Sequence, residues 1–425
     1  VVYEISHHPH HEKTLLDTQL GERRDNTQYL HSLVYQDGTA DDVYTSKTRL
    51  PEPSTPVDHI TSHLPRDIWE LILDHLSPAD AASLAFSSKP LRRILGPEPW
   101  NALNRPENYQ FKIDFLIPMD RYLPNHLICF LCASYHYRTE LGHETLKPAL
   151  VHNPIFNCPK ALDLPFPRTR ITPRRNLPFS FAQLVMRAQN YGPRYGIPLD
   201  ALARRWKEDH WSHQSRYAII KGHLFMRVIS STFASGGLTP SEQRLLLFSR
   251  DDYSPYFSAC AHWRDGLLMD LCKCALGHIP APRDLGGLHA VSVKIDDRLH
   301  KRVYDPDCLV TLCEECRPMR RCPECPSEYL IELKKMEDRT NNSFKRAIMV
   351  TRWCDLGDGR SPASLEWAAC NAEGGAYDSI KEIGKRAISG VFESHFTEDH
   401  IPGQRILSLN PKMEKHGDVD DPRWY

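Results

Sequence analysis

The residues with the clearest chemistry are cysteines. The chain holds 13 cysteines and 22 histidines in 425 residues. Four of the cysteines fall in the run CEECRPMRRCPEC, as Cys313-x2-Cys316 and Cys322-x2-Cys325. Two cysteines separated by two residues can turn back and present both sulfurs to one Zn²⁺, and two such pairs complete a closed, tetrahedral, structural site. Four thiolates around a divalent ion carry excess negative charge, which Arg317, Arg320 and Arg321 would offset. The spacer between the pairs is short. It also admits the reading that each pair serves a different metal, interleaved with other ligands.

A second group is Cys129-x2-Cys132-x3-His136, with Cys158 downstream. His136 stands at a spacing that a helix brings onto one face. The same stretch, ICFLC, is apolar, and free cysteine is among the most buried residue types, so zinc ligation and plain core stand side by side. A third group, Cys260, His262, Cys272, Cys274, His278 and Cys308, offers ligand types without clean paired spacing. There His262 reads as a packed or hydrogen-bonded histidine. Cys354 and Cys370 read as isolated core thiols. The N-terminus, VVYEISHHPHHEK, is polar and lacks the apolar stretch of a secretory signal. Reduced thiols that hold a metal are therefore expected rather than a disulfide framework, in an intracellular protein of cytoplasm or nucleus. The chain opens on Val1, which reads as a fragment, a processed form or a displaced start.

These ligands must be carried by elements. After the second pair of the run, Tyr329, Ile331 and Leu333 alternate with the period of a strand, and AIMVTRW (347–353) reads as a strand beside it. A zinc knuckle or ribbon near 308–335 would then pin a small hairpin, with metal binding serving as folding energy. Upstream, FAQLVMRAQ and LDALARRWKEDHW read as helices and HLFMRVISSTF as a strand. GAYDSIKEIGKRAISGVFESHF reads as one amphipathic helix, followed by a tail.

From Leu64 to Trp100 the texture is helical. LPRDIWELILDHL spaces apolar residues one turn apart. Ser77 is placed to cap a second helix with Pro78 at its first position and Asp80 at its third. Ser87-Ser88 breaks that helix, and a third runs to Gly96-Pro97. Three short helices in about 40 residues bury little, so their apolar surplus points to a partner surface.

The run LPRDIWELILDHLSPADAASLAFSSKPLRRILGPEPW resembles an F-box. The resemblance implies a docking element for the Skp-type adaptor of an SCF (cullin) ubiquitin ligase. The adaptor-binding residues it implies are Leu64, Pro65, Ile68, Leu71, Ile72, Leu76, Pro78, Leu84, Leu91 and Trp100. A second, softer resemblance links residues 64–367 to a fungal group of F-box proteins with Cys-rich C-terminal regions. It is carried by Cys129 and Cys132, FAQLVMRAQNYGPRYGI, the phrase around Cys260 and His262, CPECPSEYLIEL and TRWCDLGDG. It implies a substrate-facing region without catalytic activity.

The expected class is α+β: a polar disordered arm at 1–62, with a histidine cluster at His7, His8, His10 and His11; a three-helix F-box at 63–105; a loop-rich, Cys-rich mixed region at 106–370; and a C-terminal helix and tail at 371–425. Lys plus Arg is 53 against 54 for Asp plus Glu, a net charge of −1. That balance disfavours binding nucleic acid through the overall field, although Arg168, Arg170, Arg174 and Arg175 form a local basic segment. No run of about 18 apolar residues suggests a membrane span. A RING-like ligase module is the remaining metal-based alternative, but its opening pair would need Cys272 and Cys274 at the wrong spacing. No phosphate loop, nucleophile elbow or HExxH appears, so no enzyme is expected. No internal repeat points to the protein substrate.

Overall fold

A computed structural model describes residues 63–396, apart from 149–154, 163–165, 265, 282–309, 311, 339–342, 374–376 and 384–387. The polar arm, Cys308 and the C-terminal tail lie outside the described residues. The chain divides into two units, one formed by 1–141 with 154–166 and the other by 142–153 with 167–425.

The first unit opens with α1 (Arg66–Asp74), α2 (Pro78–Ser87) and α3 (Lys89–Leu95). Ser77 caps α2 by accepting from the Asp80 N–H at 3.1 Å, and its hydroxyl donates to the Asp80 carboxylate at 2.6 Å. Ser88 ends α2 and caps α3, accepting from the Leu91 N–H. Gly96 closes α3 at φ 67°, a left-handed conformation that glycine adopts without steric cost. A further helix, α4 (Glu98–Leu103), carries Trp100, and α5 (Tyr109–Leu116) follows. Then β1 (His126–Cys129) pairs antiparallel with β2 (Ser134–Tyr137). One core joins Trp69, Ala85, Leu91 and Leu95. A second joins Ala82 and Leu103 to Phe115, Ile128 and Tyr135, with Phe86 and Trp100 packed on it. The packing therefore runs on past residue 105, where the sequence suggests a boundary.

The second unit is built on a six-stranded antiparallel sheet in the order β5-β6-β7-β10-β9-β8. Its strands are β5 (Arg204–Glu208), β6 (Trp211–Ile220), β7 (His223–Phe233), β8 (Arg320–Arg321), β9 (Ser327–Asp338) and β10 (Ser343–Asp355). The three expected strands fall within β7, β9 and β10. FAQLVMRAQ falls within the helix α6 (Phe179–Tyr191), which follows a small hairpin of β3 (Arg168–Thr172) and β4 (Arg175–Pro178).

LDALARRWKEDHW is not a helix. A 3₁₀ turn at Leu199–Leu202 leads into β5, and Trp211 opens β6. Trp211, His213, Ser215 and Tyr217 all point inward along β6, with less buried residues between them. β5 pairs with β6, which pairs in turn with β7, and this pairing overrides a weak helical preference. Lys221 and Gly222, both at positive φ, make the two-residue turn between β6 and β7.

The remaining α-helices among the described residues are α7 (Pro240–Leu247), α8 (Leu267–Gly277), α9 (Leu365–Cys370), α10 (Ser379–Ile383) and α11 (Ile388–Phe396). The single C-terminal helix read from the sequence is thus two described helices, with 384–387 between them. α11 is fastened to the sheet by two carboxylates. Buried Glu328 accepts from the N–H groups of Ile388 and Ser389 and from the Ser389 hydroxyl. Glu393 takes Arg227 and the Trp353 indole N–H.

Candidate metal centres and docking face

Among the described residues nine thiols gather into three clusters, and each contains three cysteines and one histidine: Cys129, Cys132, His136 and Cys158; Cys260, His262, Cys322 and Cys325; Cys274, His278, Cys313 and Cys316. Within each, all four ligand atoms lie within 4.8 Å of one another. Metal–sulfur bonds of about 2.3 Å set tetrahedral sulfur–sulfur edges of about 3.8 Å. The observed separations are close to that edge: 3.7 Å for Cys129–Cys158, and 3.6 Å for both Cys274–Cys313 and Cys313–Cys316. Imidazole Nε2 atoms complete two of the sets, 3.1 Å from Cys132 for His136 and 3.8 Å from Cys274 for His278. The donor set and its spacing fit a metal ion.

The run CEECRPMRRCPEC does not close on itself as one Cys₄ ribbon. Its first pair joins Cys274 and His278, and its second joins Cys260 and His262. The two sets are nested, the outer pairs of the sequence together and the inner pairs together. The sequence shows each of these two sets only in part. Cys274 and His278 sit four apart at the end of α8, a one-face spacing that is recognisable. Cys260-x-His262 gives no such signal. Cys272 joins none of the three sets; it is fully buried in the core of the second unit.

In the first unit the ligands ride on a hairpin, not on a helix. Cys129 ends β1, Cys132 lies in the turn, and His136 is on β2 and stacks on Phe156 at 5.1 Å. Ala133 takes positive φ in that turn.

Each set already favours one thiolate. A hydrogen bond from Cys129, with help from His136 and Ser134, pulls Cys132 below the ordinary thiol range. Hydrogen bonds from Cys322 and Cys325 do the same for Cys260. The Cys316 backbone N–H, with His278, brings Cys313 down to about 6.

The charge expected from Arg317, Arg320 and Arg321 is arranged differently. Arg321 pairs with Glu328 at 2.9 Å, and Arg320 bonds the Glu315 carbonyl. A different cation sits among the thiols. Arg352 on β10 is fully buried, donating to Ala259 O at 3.1 Å, Ser327 Oγ at 3.3 Å and Cys354 Sγ at 3.5 Å. Its Nε has no acceptor among the described residues. Cys354 and Cys370, read as isolated, face each other at 3.1 Å beside it.

The helical segment carries a second kind of site. Trp69 and Ile72 of α1 face the core. Leu64, just before the helix, and Ile68 and Leu71 along its flank are 37%, 40% and 57% exposed and form one apolar strip. Leu76, Pro78 and Leu84 are half-buried and Pro65 is exposed. Leu91 is buried, and the Trp100 ring packs against Phe86 and Phe115, so both support the fold from within.

In the basic segment, Arg170 bonds Asp252 and Ser254, Arg174 bonds Asp251, and Arg175 lies over the Trp206 ring at 5.7 Å. No helix among the described residues is long and apolar enough to cross a membrane.

Comparison with known families matches residues 61–100 to the F-box domain. No curated protein and no solved structure matches the chain.

Proposed function

We propose that the chain is a substrate-recruiting subunit of an SCF-type ubiquitin ligase, a non-catalytic adaptor of the cell interior. Its F-box docks on the Skp-type adaptor, and through it on a cullin, while the Cys-rich second unit holds a protein target. The observation that carries this reading is the exposed face of Leu64, Ile68 and Leu71 within the segment that matches an F-box. Covering the exposed part of such side chains on binding is worth about 1 kcal/mol each, which gives the face a reason to stay apolar.

The same reading takes the three Cys₃His sets as structural zinc sites. Four protein ligands leave no open position, the pattern of a closed structural site rather than a catalytic one. The pairing of Arg170 and Arg174 with carboxylates speaks against a phosphate-binding strip. The placement of Cys272 in the core speaks against a RING module. The softer likeness to fungal Cys-rich F-box proteins agrees with this assignment.

Co-purification with a Skp-type adaptor tests it, wild type against Leu64→Ala plus Pro65→Ala. Binding by the wild type alone is expected. Equal binding, or none by either, would overturn the proposal.

A further inference from the structure

We infer that the first Cys₃His set is part of the docking module: metal held by Cys129, Cys132, His136 and Cys158 keeps the F-box helices in their binding form. Adaptor affinity then depends on a metal bound outside the F-box segment. The affinity part of this inference rests on the docking reading above.

The coupling runs through α2. Ala85 of α2 packs with Trp69 and Leu91, which holds α1 in place. Ala82, one turn earlier on the same face of α2, belongs to the core that contains Ile128, Ala133 and Tyr135. Those three residues belong to the hairpin that carries the ligands, and Tyr135 sits on β2 one residue before His136. The Tyr135 hydroxyl donates to Leu116 O at 2.9 Å and to the Asp120 carboxylate at 3.0 Å, joining the hairpin to the end of α5. Phe86 of α2 packs on Phe115 at 5.4 Å, so the same core receives the F-box from both α2 and α4.

Neither part is large enough to stand alone. A two-stranded hairpin with four-residue strands is marginal in water, and about 40 residues of short helices bury too little. Tyr135, Thr139 and His136 already hold the hairpin through Leu116, Ile155 and Phe156, and Cys158 is brought from a distant segment to within 3.7 Å of Cys129. A metal there converts that approach into a cross-link, and in small domains the free energy of binding structural zinc is also folding free energy. Without it the wall of Ile128, Ala133 and Tyr135 loosens, and α2, which positions α1, loses one of the two clusters it packs in.

The experiment uses the full chain. Cys132→Ser plus His136→Ala removes the first set, Cys313→Ser disables a set in the second unit, and His136→Cys keeps four ligands. Two readouts are taken: affinity for a purified Skp-type adaptor, and amide hydrogen exchange of α1 and α2 in the chain alone. The first variant should bind at least tenfold more weakly and lose protection in α2. Cys313→Ser should stay within about twofold of wild type in both, and His136→Cys should recover most of what the first variant loses. Stripping the wild type with a chelator and restoring Zn²⁺ should reproduce and reverse the loss, which covers the case in which the first variant does not fold.

Unchanged α2 exchange after loss of the first metal overturns the inference. So does equal loss from the Cys313→Ser variant. Should the wild type fail to bind the adaptor while exchange in α2 still follows the metal, the docking reading falls and the metal coupling stands.

Discussion

Cys316 and Cys322 are close neighbours in one cysteine-rich run, yet they face different ligand sets. Cys316 joins Cys274, His278 and Cys313, whereas Cys322 joins Cys260, His262 and Cys325. The short strand β8 lies between them and pairs with β9, which separates the two pairs by sheet geometry. This arrangement makes a counting prediction. The zinc content of the purified chain should be three per molecule, one for each set. Cys316→Ser plus Cys322→Ser should remove two ions, because it damages two sites. A single shared Cys₄ site would lose one. Elemental analysis of the two proteins distinguishes these results.

Arg352 should matter to the site around Cys260. A closed Cys₃His zinc centre carries a net charge of −1, and among the described residues no carboxylate pairs with this buried guanidinium. Removing one partner of a buried ion pair costs about 3–5 kcal/mol. Arg352→Leu should therefore release zinc from that site faster and lower the unfolding midpoint of the second unit. Lysine cannot reproduce the fixed fork that reaches Ala259, Ser327 and Cys354, so Arg352→Lys should rescue only in part. Zinc release followed with a chromogenic chelator, unchanged in Arg352→Leu, would dismiss the role.

His213 gives a pH dependence of defined sign. It is buried between β6 and its neighbours, stacked on Trp206, and bonds the Ser230 hydroxyl through Nδ1. Burial, with Arg175 nearby, lowers its pKa from 6.5 to about 3. The unfolded chain takes up a proton near pH 6.5 that the folded chain refuses. Stability from this group is thus fully present above about pH 6.5 and falls as the pH drops toward 3, at a limiting slope of about 1.4 kcal/mol per pH unit. Thermal unfolding between pH 7 and 4.5 should be less pH-dependent in His213→Gln than in wild type. Parallel curves would refute the assignment.

Glu328 should control the C-terminal helix. Its carboxylate takes both the Ile388 and Ser389 N–H groups at 2.9 Å. Glu328→Ala leaves these donors unpaired, at about 1–3 kcal/mol each. Hydrogen exchange in α11 should rise sharply while β6 and β7 stay protected. No change in α11 would place its anchor elsewhere.

The fold is most legible in the sequence where structure is local. The Ser77-Pro78-Ala79-Asp80 cap, the break at Ser88 and the close at Gly96 are set by neighbours within four residues, and all three appear in the structure. The strand character of β7, β9 and β10 is legible for the same reason, since each strand writes its pattern into its own residues. The ligand partners are not legible, because Cys260 and Cys322 are far apart in the sequence and only the tertiary fold brings them together. LDALARRWKEDHW misleads because the choice of strand there depends on the pairing of β5 with β6. Arg352 gives no signal at all: a cation inside a strand acquires its meaning from the thiols that other segments bring to it.

The most direct test of docking is the affinity of the full chain for a purified Skp-type adaptor, measured by calorimetry for wild type, Ile68→Ala plus Leu71→Ala, and Leu91→Ala. The first pair is exposed and Leu91 is buried. The exposed double variant should lose about 30-fold or more in affinity, equivalent to about 2 kcal/mol, with an unchanged unfolding midpoint. Leu91→Ala should lower that midpoint through a cavity worth about 2–5 kcal/mol. Wild-type affinity in the exposed double variant, or no binding by the wild type, would contradict the docking role.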